Sequence, residues 1–326
     1  MPELNRRGLL AASLSAPALL RAGAARADWP GRSLRLIVPY PPGGITDLVA
    51  RKVADGLGAI WERPLIVDNR PGAGGNIAAE LASKAPPDGN TLYIAFAGTH
   101  AMAVSLFRDL RYDPVRDFTP VSLLIESPMA LTLHPAVPAR SVAELTAYAR
   151  ANPGRLAFGS SGNGGASHRS LELYKAAAGV DILHVPYRGA AQSNTDLLGG
   201  KIQGMFDAPI TAMPNIRGGG VRVLATTGRV RPALLPDVPT MREAGMPDYM
   251  FLTWLGLLTP AGLPPEIRDR MNRDVRTVMA QPAMRAWCAE NGLEPAANSP
   301  DEFARYMAEE TARFADFIRT TGMTVD

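Results

Sequence analysis

The sequence predicts an α/β protein with mainly parallel sheets and helices on both sheet faces. Short apolar runs alternate with helical stretches through most of the chain, and this alternation is typical of strand–helix–strand units. The 326 residues are too many for one ordinary hydrophobic core and suit two. Two glycine-containing loops each follow a strand and precede a helix. Because ligands bind at such loops in open α/β sheets, we expect two lobes that face a shared cleft.

Each predicted element is a run of suitable composition bounded by turn residues. The predicted strands are 34–40, 64–70, 91–97, 129–135, 156–160, 182–187, 202–208 and 221–227. The predicted helices are 46–58, 75–84, 141–151, 167–178 and 190–199, followed by an almost wholly helical part with helices at 263–281, 282–292 and 299–322. Pro265 and Pro300 suit the first turn of a helix, and Ser299 is a good helix cap.

Residues 1–27 have the pattern of a secretory signal peptide. They contain an arginine pair (Arg6 and Arg7), an apolar stretch and a small-residue end. The pair, followed by Gly-Leu-Leu, favours the twin-arginine export route, although Asn5 is not the usual preceding residue. The apolar stretch is too short to span a membrane, and Pro17 interrupts it. We therefore expect export to the periplasm and cleavage after residue 27.

The charge balance and the single cysteine narrow the class of protein further. The full chain has 34 basic and 31 acidic side chains, and residues 1–27 hold four Arg and one Glu, which leaves 30 of each sign. A neutral exported chain gives no reason to expect nucleic acid or an anionic membrane surface as a partner. Cys288 cannot form an internal disulfide and lies in a helical pattern, so we expect a buried structural thiol.

The first glycine loop lies within PYPPGGITDLVAR (39–51) and does not fit a nucleotide site. A phosphate loop needs a lysine for the phosphates and a hydroxyl for magnesium, and this loop has no such lysine. Asp47 falls in the first helical turn, where its charge would repel a triphosphate. Segments 162–167 and 72–77 match the dinucleotide fingerprint only in part, and the acid expected after the strand that follows 162–167 is missing.

The second glycine loop lies within LAFGSSGNGGASHRSLELYK (156–175) and does not complete a hydrolase motif. Its GSSGN lacks the second glycine of G-x-S-x-G. Ser160 or Ser161 with His168 stays open as a hydrolytic pair, but we favour both serines as hydroxyl donors that also shape the helix entry. The four histidines of the chain are dispersed and no cysteine cluster exists, so no metal or cofactor is predicted.

The two loops share glycines that lie immediately before a helix. Gly43 and Gly44 precede one helix, and Gly162, Gly164 and Gly165 precede the other. A helix N-terminus carries about half a positive charge and several unpaired N–H donors. A carboxylate accepts hydrogen bonds from such donors without needing a lysine or an arginine. The residues therefore favour anion binding by backbone amides, and the alternative is that the glycines only serve tight turns.

A third segment, 184–208, supports a cleft between the lobes. Tyr187 follows a predicted strand and offers an apolar wall with a hydroxyl. Arg188 is either a charged clamp or a solvated surface residue. Asp207, at the end of the next strand, either contacts the ligand or holds a neighbouring loop by accepting a hydrogen bond from its backbone amide.

These segments resemble the Bug family of periplasmic solute receptors, the binding proteins of tripartite tricarboxylate transporters. The likeness covers essentially the whole exported chain and rests on the order and spacing of five blocks. They are WPGRSLRLIVPYPPGGITDLVAR, VDNRPGAGGNIAAELASKAPPDGNTLYIA, FGSSGNGGASHRSLELY, VPYRGAAQSNTDLLGGKIQGMFD and LLPDVPTMREAG.

The resemblance implies a type II periplasmic-binding-protein fold, in which two doubly wound lobes are joined by two crossing hinge segments. It implies a first lobe of residues 28–127 plus 252–326 and a second lobe of residues 128–251. The crossing segments would be LLIESPMAL and MFLTWLGLL. We expect a monomer that is not an enzyme and that hands a small organic carboxylate to the membrane subunits of a transporter. A sensor that reports to a signalling protein is the alternative within the family.

The resemblance also implies where the carboxylate is held, partly through ordered water. The implied positions, together with Tyr187 from the residues alone, are Pro42, Gly43, Gly44, Asp47, Thr99, Ser160, Ser161, Asn163, Gly164, His168 and Asp207. Two departures affect the expected pocket shape. Ser161 stands where many members have proline, and AAQSNTDLL lacks the proline-alanine that commonly precedes Asp-Leu-Leu.

Overall fold

The computed structural model describes residues 29–31, 33–107 and 109–321, and the predicted signal peptide lies outside them. The described residues form two mixed β-sheets and ten α-helices. Among the helices described, none has the length and apolar character needed to cross a membrane. The predicted α/β class is confirmed.

The first sheet has six strands in the described chain. They are β1 (Leu34–Val38), β2 (Leu65–Asn69), β3 (Thr91–Phe96), β4 (Phe118–Pro128), β10 (Leu252–Pro260) and β11 (Glu294–Pro295). Their order across the sheet is β11-β4-β10-β3-β1-β2. Strand β1 pairs in parallel with β2 and β3, whereas β10 runs antiparallel to β3 and β4. Four of the five residues of β1 are buried, as expected for a parallel strand inside a sheet.

The second sheet has five strands in the same part of the chain. They are β5 (Ala130–Leu133), β6 (Ala157–Ser160), β7 (Leu183–Pro186), β8 (Gly204–Asp207) and β9 (Arg222–Thr226). Their order is β7-β6-β8-β5-β9, with β6 parallel to β7 and β8, and β5 antiparallel to β8 and β9. Both sheets therefore contain three parallel strands in the order second, first, third, followed by an antiparallel strand.

The prediction of mainly parallel sheets is wrong, because each sheet also contains antiparallel strands. These strands arise where the chain passes between the sheets, which it does twice. Strand β4 ends the first passage at Pro128, and β5 begins in the second sheet at Ala130. The second passage returns the chain to the first sheet as β10. The passing segments β5 and β10 enter their sheets antiparallel to the neighbouring strands. Neither β4 nor β10 was among the predicted strands, and each was expected only as part of a crossing segment.

The helices lie close to their predicted positions. They are α1 (Ile45–Trp61), α2 (Asn76–Ser83), α3 (Ala103–Leu106), α4 (Val142–Ala151), α5 (Ala166–Ala178), α6 (Ala190–Leu198), α7 (Pro209–Arg217), α8 (Pro265–Ala280), α9 (Pro282–Glu290) and α10 (Pro300–Thr321). A 3₁₀ turn precedes α2 at Ala73–Gly75, and a π-helical turn precedes α3 at Gly98–Met102. Helices α3 and α7 were not predicted, since α3 is one turn long and α7 contains two prolines.

Local sequence signals explain how these helices begin and what they bury. Ser299 and Glu302 form a reciprocal cap at the start of α10, in which the Ser299 hydroxyl accepts from the Glu302 N–H and the Glu302 carboxylate accepts from the Ser299 N–H. Helix α9 buries Cys288, and burial raises the pKa of its thiol to about 11. The predicted structural thiol is confirmed.

Candidate functional site

The loops that carry the predicted site residues leave each sheet at the point where its strand order changes direction. In the first sheet β1 lies between β2 and β3, and in the second sheet β6 lies between β7 and β8. The chain therefore leaves β1 and β3, and likewise β6 and β8, toward opposite sides of the sheet, which opens a crevice at the carboxyl ends of these strands. The first glycine loop follows β1, and the second follows β6.

A cavity of about 730 Å³, including its mouth, lies between the two sets of loops. The first glycine loop and the start of α1 form one wall. Ser161 and the start of α5 form another, and the starts of α6 and α7 complete the enclosure. Its remaining lining comes from Phe96 and from the passing segments, with Met129, Thr253 and Leu255.

Four helices begin at the cavity, and their first N–H groups have no side-chain cap. The residues before α1, α5, α6 and α7 are Gly44, Gly165, Gly189 and Ala208, and none of these four has a side chain that accepts an N–H group of its helix. The first N–H groups of a helix have no partner within it. The cavity is therefore bordered by backbone donors at the positive ends of four helix dipoles.

The first glycine loop is held by Asp47. Its carboxylate accepts from the Gly43 N–H at 3.0 Å and from the Asn69 amide at 3.0 Å, and it pairs with Arg51 at 2.9 Å. Burial alone would raise the pKa of Asp47, but the hydrogen bonds from Arg51, Gly43 and Asn69 and the Arg51 charge hold it below its usual value. Through these contacts Asp47 fixes the first glycine loop.

The second glycine loop is held in the same way by His168. The Gly164 N–H donates to His168 Nδ1 at 3.1 Å, and the imidazole stacks on His184 with 3.8 Å between ring centres. Burial lowers the pKa of His168 to about 3, assisted by the charges of His184, Lys175 and Arg169, and burial lowers that of His184 to about 4. Both loops thus have a glycine N–H bonded to the side chain four residues later.

The alternative of a hydrolytic pair between Ser160 or Ser161 and His168 is not supported, because among the described residues these serines contact other groups. The Ser160 hydroxyl is fully buried and lies 2.6 Å from His184 Nε2, and it accepts from the Gly162 N–H at 3.1 Å. The Ser161 hydroxyl lies 3.5 Å from that of Ser167. Ser160 therefore stabilises the loop without lining the cavity, whereas Ser161 does line the cavity.

Two further polar side chains define the cavity. The Tyr40 hydroxyl is buried and has no hydrogen-bond partner of ordinary geometry among the described residues. Burial raises its pKa to about 12, against the lowering effect of the Arg169 charge and of Ser161, so it is a protonated donor at neutral pH. Asp207 accepts from Thr211, from the Ala208 N–H and from Asn194, at 2.6, 2.9 and 2.7 Å. Burial raises the pKa of Asp207 to about 6, against these hydrogen bonds.

The predicted site residues fall into two groups. Those that line the cavity are Pro42, Gly44, Ser161 and Asp207. Those that are not among the lining residues are Gly43, Asp47, Thr99, Ser160, Asn163, Gly164, His168 and Tyr187. In the second group Thr99 is fully buried and bonded to the Phe96 carbonyl, and the Tyr187 hydroxyl donates to Asp196. A ligand-binding role for the twelve stays a prediction.

Several lining residues were not predicted from the sequence. Tyr40 is the last residue of the predicted first strand, and Gln192 and Thr211 lie in the first turns of α6 and α7. The glycine that precedes α6 follows a predicted strand, as in the two glycine loops, and this pattern was a usable signal for a third helix start. Thr211 had no such signal, because α7 itself was not predicted.

The two sides of the cavity touch each other at glycines. A methyl group added at Gly189, in the second-sheet half, would lie 3.1 Å from Cδ of Pro41 in the first glycine loop. One added at Gly74 would lie 2.7 Å from the carbonyl oxygen of Asn163 in the second glycine loop. The structure therefore describes a conformation in which the two halves are closed against each other.

Among the described residues, the lining contains no lysine, arginine or histidine. Within the described chain no group of three histidine, cysteine, aspartate or glutamate side chains is placed to hold a metal ion. Besides backbone N–H groups, the lining residues that carry side-chain donors are Tyr40, Thr46, Ser161, Ser167, Gln192, Thr211 and Thr253. This arrangement suits an anion that is recognised by hydrogen bonds.

Comparison with known proteins places the chain among receptors. The family described as "Tripartite tricarboxylate transporter family receptor" matches residues 49–323. The structure of R. palustris Rpa4515 with adipate has a TM-score of 0.89 and 37% identity, and covers 91% of this chain and 99% of that one. The periplasmic binding protein BugD has a TM-score of 0.87 and 29% identity, with 91% and 99% covered. MatC (Rpa3494) from Rhodopseudomonas palustris with bound malate has a TM-score of 0.83 and 33% identity, with 88% and 99% covered.

Proposed function

The chain belongs to the tripartite tricarboxylate transporter receptor family, and we propose that its cavity binds a small organic carboxylate by the N-termini of α1, α5, α6 and α7. Its fold is the two-lobed type II periplasmic-binding fold, and its family and structural neighbours are solute-binding receptors. The observation that carries the proposal is the convergence of four uncapped helix N-termini on one cavity.

The residues that line the cavity favour, as the ligand, an organic acid with an apolar carbon chain. Ile45, Phe96, Met129 and Leu255 are apolar, and proline and alanine residues complete much of the wall. Such a wall favours methylene groups over hydroxyl groups, since a hydroxyl without a partner loses its hydration. Among the compounds bound by the structural neighbours, adipate fits this description better than malate.

We propose the same lobe boundaries as those implied by the sequence resemblance, residues 28–127 plus 252–326 and residues 128–251. The change of sheet between β4 and β5 at Met129, and the return at β10, support these boundaries. Closure then follows from a ligand that contacts both lobes and so favours the closed state.

We propose that the receptor acts in the periplasm as a monomer, after export by the twin-arginine route, and delivers its ligand to the membrane subunits of a tripartite tricarboxylate transporter. Family membership supports a periplasmic receptor role. Uptake of labelled ligand by cells that lack the receptor gene tests the transport role. Unchanged uptake would favour the alternative in which the receptor serves a signalling protein.

Calorimetric titration of the purified protein with a panel that includes adipate and malate tests carboxylate binding. In the Gly44→Leu variant we expect at least tenfold weaker binding, because Gly44 lines the cavity and its φ of −86° accepts any side chain. Gly199→Leu is the matched control, since Gly199 has a similar φ of −78° and ends α6 away from the cavity. Undiminished binding by the Gly44 variant would overturn the proposed site.

A further inference from the structure

Arg169 is a buried cation without hydrogen-bond partners. Its side chain is fully buried, and within the described chain none of its three guanidinium nitrogens makes a hydrogen bond. The guanidinium carbon lies 4.8 Å from the ring centre of Phe251 and 4.7 Å from that of Phe314. Both rings attract the guanidinium through cation–π interactions. They carry no negative charge, however, and they do not accept hydrogen bonds from all five of its N–H groups. A buried charge of this kind is costly and needs an explanation.

The acidic group that interacts with Arg169, Glu310, does not neutralise this charge. Glu310 interacts electrostatically with Arg169, but its carboxylate is bound by Arg313 at 2.7 Å. Burial raises the pKa of Glu310, and it lowers that of Arg169 only to about 10. The guanidinium therefore keeps its positive charge at neutral pH without an ion-pair partner of its own.

The position of Arg169 places this charge behind the cavity wall. Arg169 lies in the first turns of α5, two and three residues after Ser167 and Ala166, which line the cavity. Phe251, on one side of the guanidinium, directly precedes strand β10, which supplies part of the lining. Tyr40 in the wall is affected by the charge, which lowers its pKa against the effect of burial.

Among the described residues, the lining itself offers no positive side chain. In the part of the chain that the structure describes, it contains no lysine, arginine or histidine, and its one acidic residue, Asp207, is enclosed by three donors of the protein. We propose that Arg169, without touching the ligand, supplies the fixed positive charge that makes the closed cavity select a carboxylate over a neutral molecule of the same shape. In a buried region the Coulomb interaction is weakly screened, so a charge behind the wall still acts on an anion inside it.

This inference rests on the proposed function. Calorimetric titration with adipate and with its neutral diamide, adipamide, tests the inference separately from the proposed function. In the Arg169→Met variant, which keeps the side-chain bulk without the charge, we expect adipate to bind about tenfold more weakly. Binding of adipamide stays within twofold of wild type. The Arg169→Lys variant recovers most of the adipate affinity at neutral pH. Arg150→Met is the control, because the Arg150 guanidinium donates to the Ala178 carbonyl on the same lobe and does not line the cavity.

A pH series on the Arg169→Lys variant keeps the test independent of how well the methionine variant folds. Burial lowers the pKa of a lysine, so adipate affinity of this variant falls as the pH rises from 7 to 10, while wild type changes little. A flat profile in the lysine variant overturns the inference, as does equal weakening of adipate and adipamide by Arg169→Met, which would mean a structural role. A wild-type protein that binds no carboxylate of the panel overturns the proposed function and the inference with it.

Discussion

Gly74 lies where the two halves of the protein meet, and we expect Gly74→Ala to impair closure. The added methyl group would lie 2.7 Å from the carbonyl oxygen of Asn163, which belongs to the backbone of the opposite loop. A carbon–oxygen contact needs about 3.3 Å, so the halves must separate there by roughly 0.6 Å. Overpacking of this kind costs about 1–3 kcal/mol. The cost arises only in the closed state.

Because closure accompanies binding, this cost appears as lost affinity, about five- to 150-fold for adipate or the tightest carboxylate of the panel. Alanine at the left-handed φ of +63° also strains the backbone by about 1–2 kcal/mol. That strain is present in the open and closed states alike, so it lowers thermal stability without changing affinity.

Gly179→Ala separates the two effects. Gly179 has nearly the same backbone conformation, φ +59°, and no atom lies within 4 Å of the methyl group it would gain. We expect both variants to lose a similar amount of stability in thermal unfolding and only Gly74→Ala to lose affinity in calorimetry. Equal affinities of the two variants would refute contact between the halves as a condition of tight binding.

Two further predictions concern buried polar groups. Tyr40→Phe removes a buried hydroxyl that makes no hydrogen bond of ordinary geometry to the described residues, so we expect unchanged or higher stability together with about two- to tenfold weaker carboxylate binding. A binding constant equal to that of wild type would exclude the hydroxyl as a ligand donor. Because the folded-state pKa of His184, about 4, is below the unfolded value of 6.5, the folded state loses stability as the pH falls from about 6.5 to about 4, by up to about 3 kcal/mol. The His184→Asn variant should therefore show a shallower fall in thermal midpoint over that pH range, and an identical slope would assign the fall to other groups.

The parts of the fold that the sequence predicts well are those with local signals. The strand, glycine loop and helix around Gly43 and Gly44 are visible in sequence because glycine and helical periodicity act over a few residues. The pairing direction of β10 is not visible in this way, since it depends on where the chain returns from the second lobe. The same reason explains why β4 was missed.

The candidate site likewise has a part that was predictable from local sequence and a part that was not. The two helix starts with glycine loops were predictable, because backbone donors at a helix N-terminus follow from local sequence. Asp47 and His168 were also noticed, but only the structure reveals that each accepts a glycine N–H of its own loop. Tyr40 and Arg169 were missed, because their importance depends on burial and on missing partners.

The most direct test of carboxylate recognition by helix N-termini is a crystal structure of the protein with adipate. We expect one carboxylate in the cavity, with its oxygens about 2.7–3.2 Å from backbone nitrogens in the first turns of α1 and α5 and near the Tyr40 hydroxyl. A ligand carboxylate held instead by side chains away from these helix starts, or bound outside the cavity, would contradict the account.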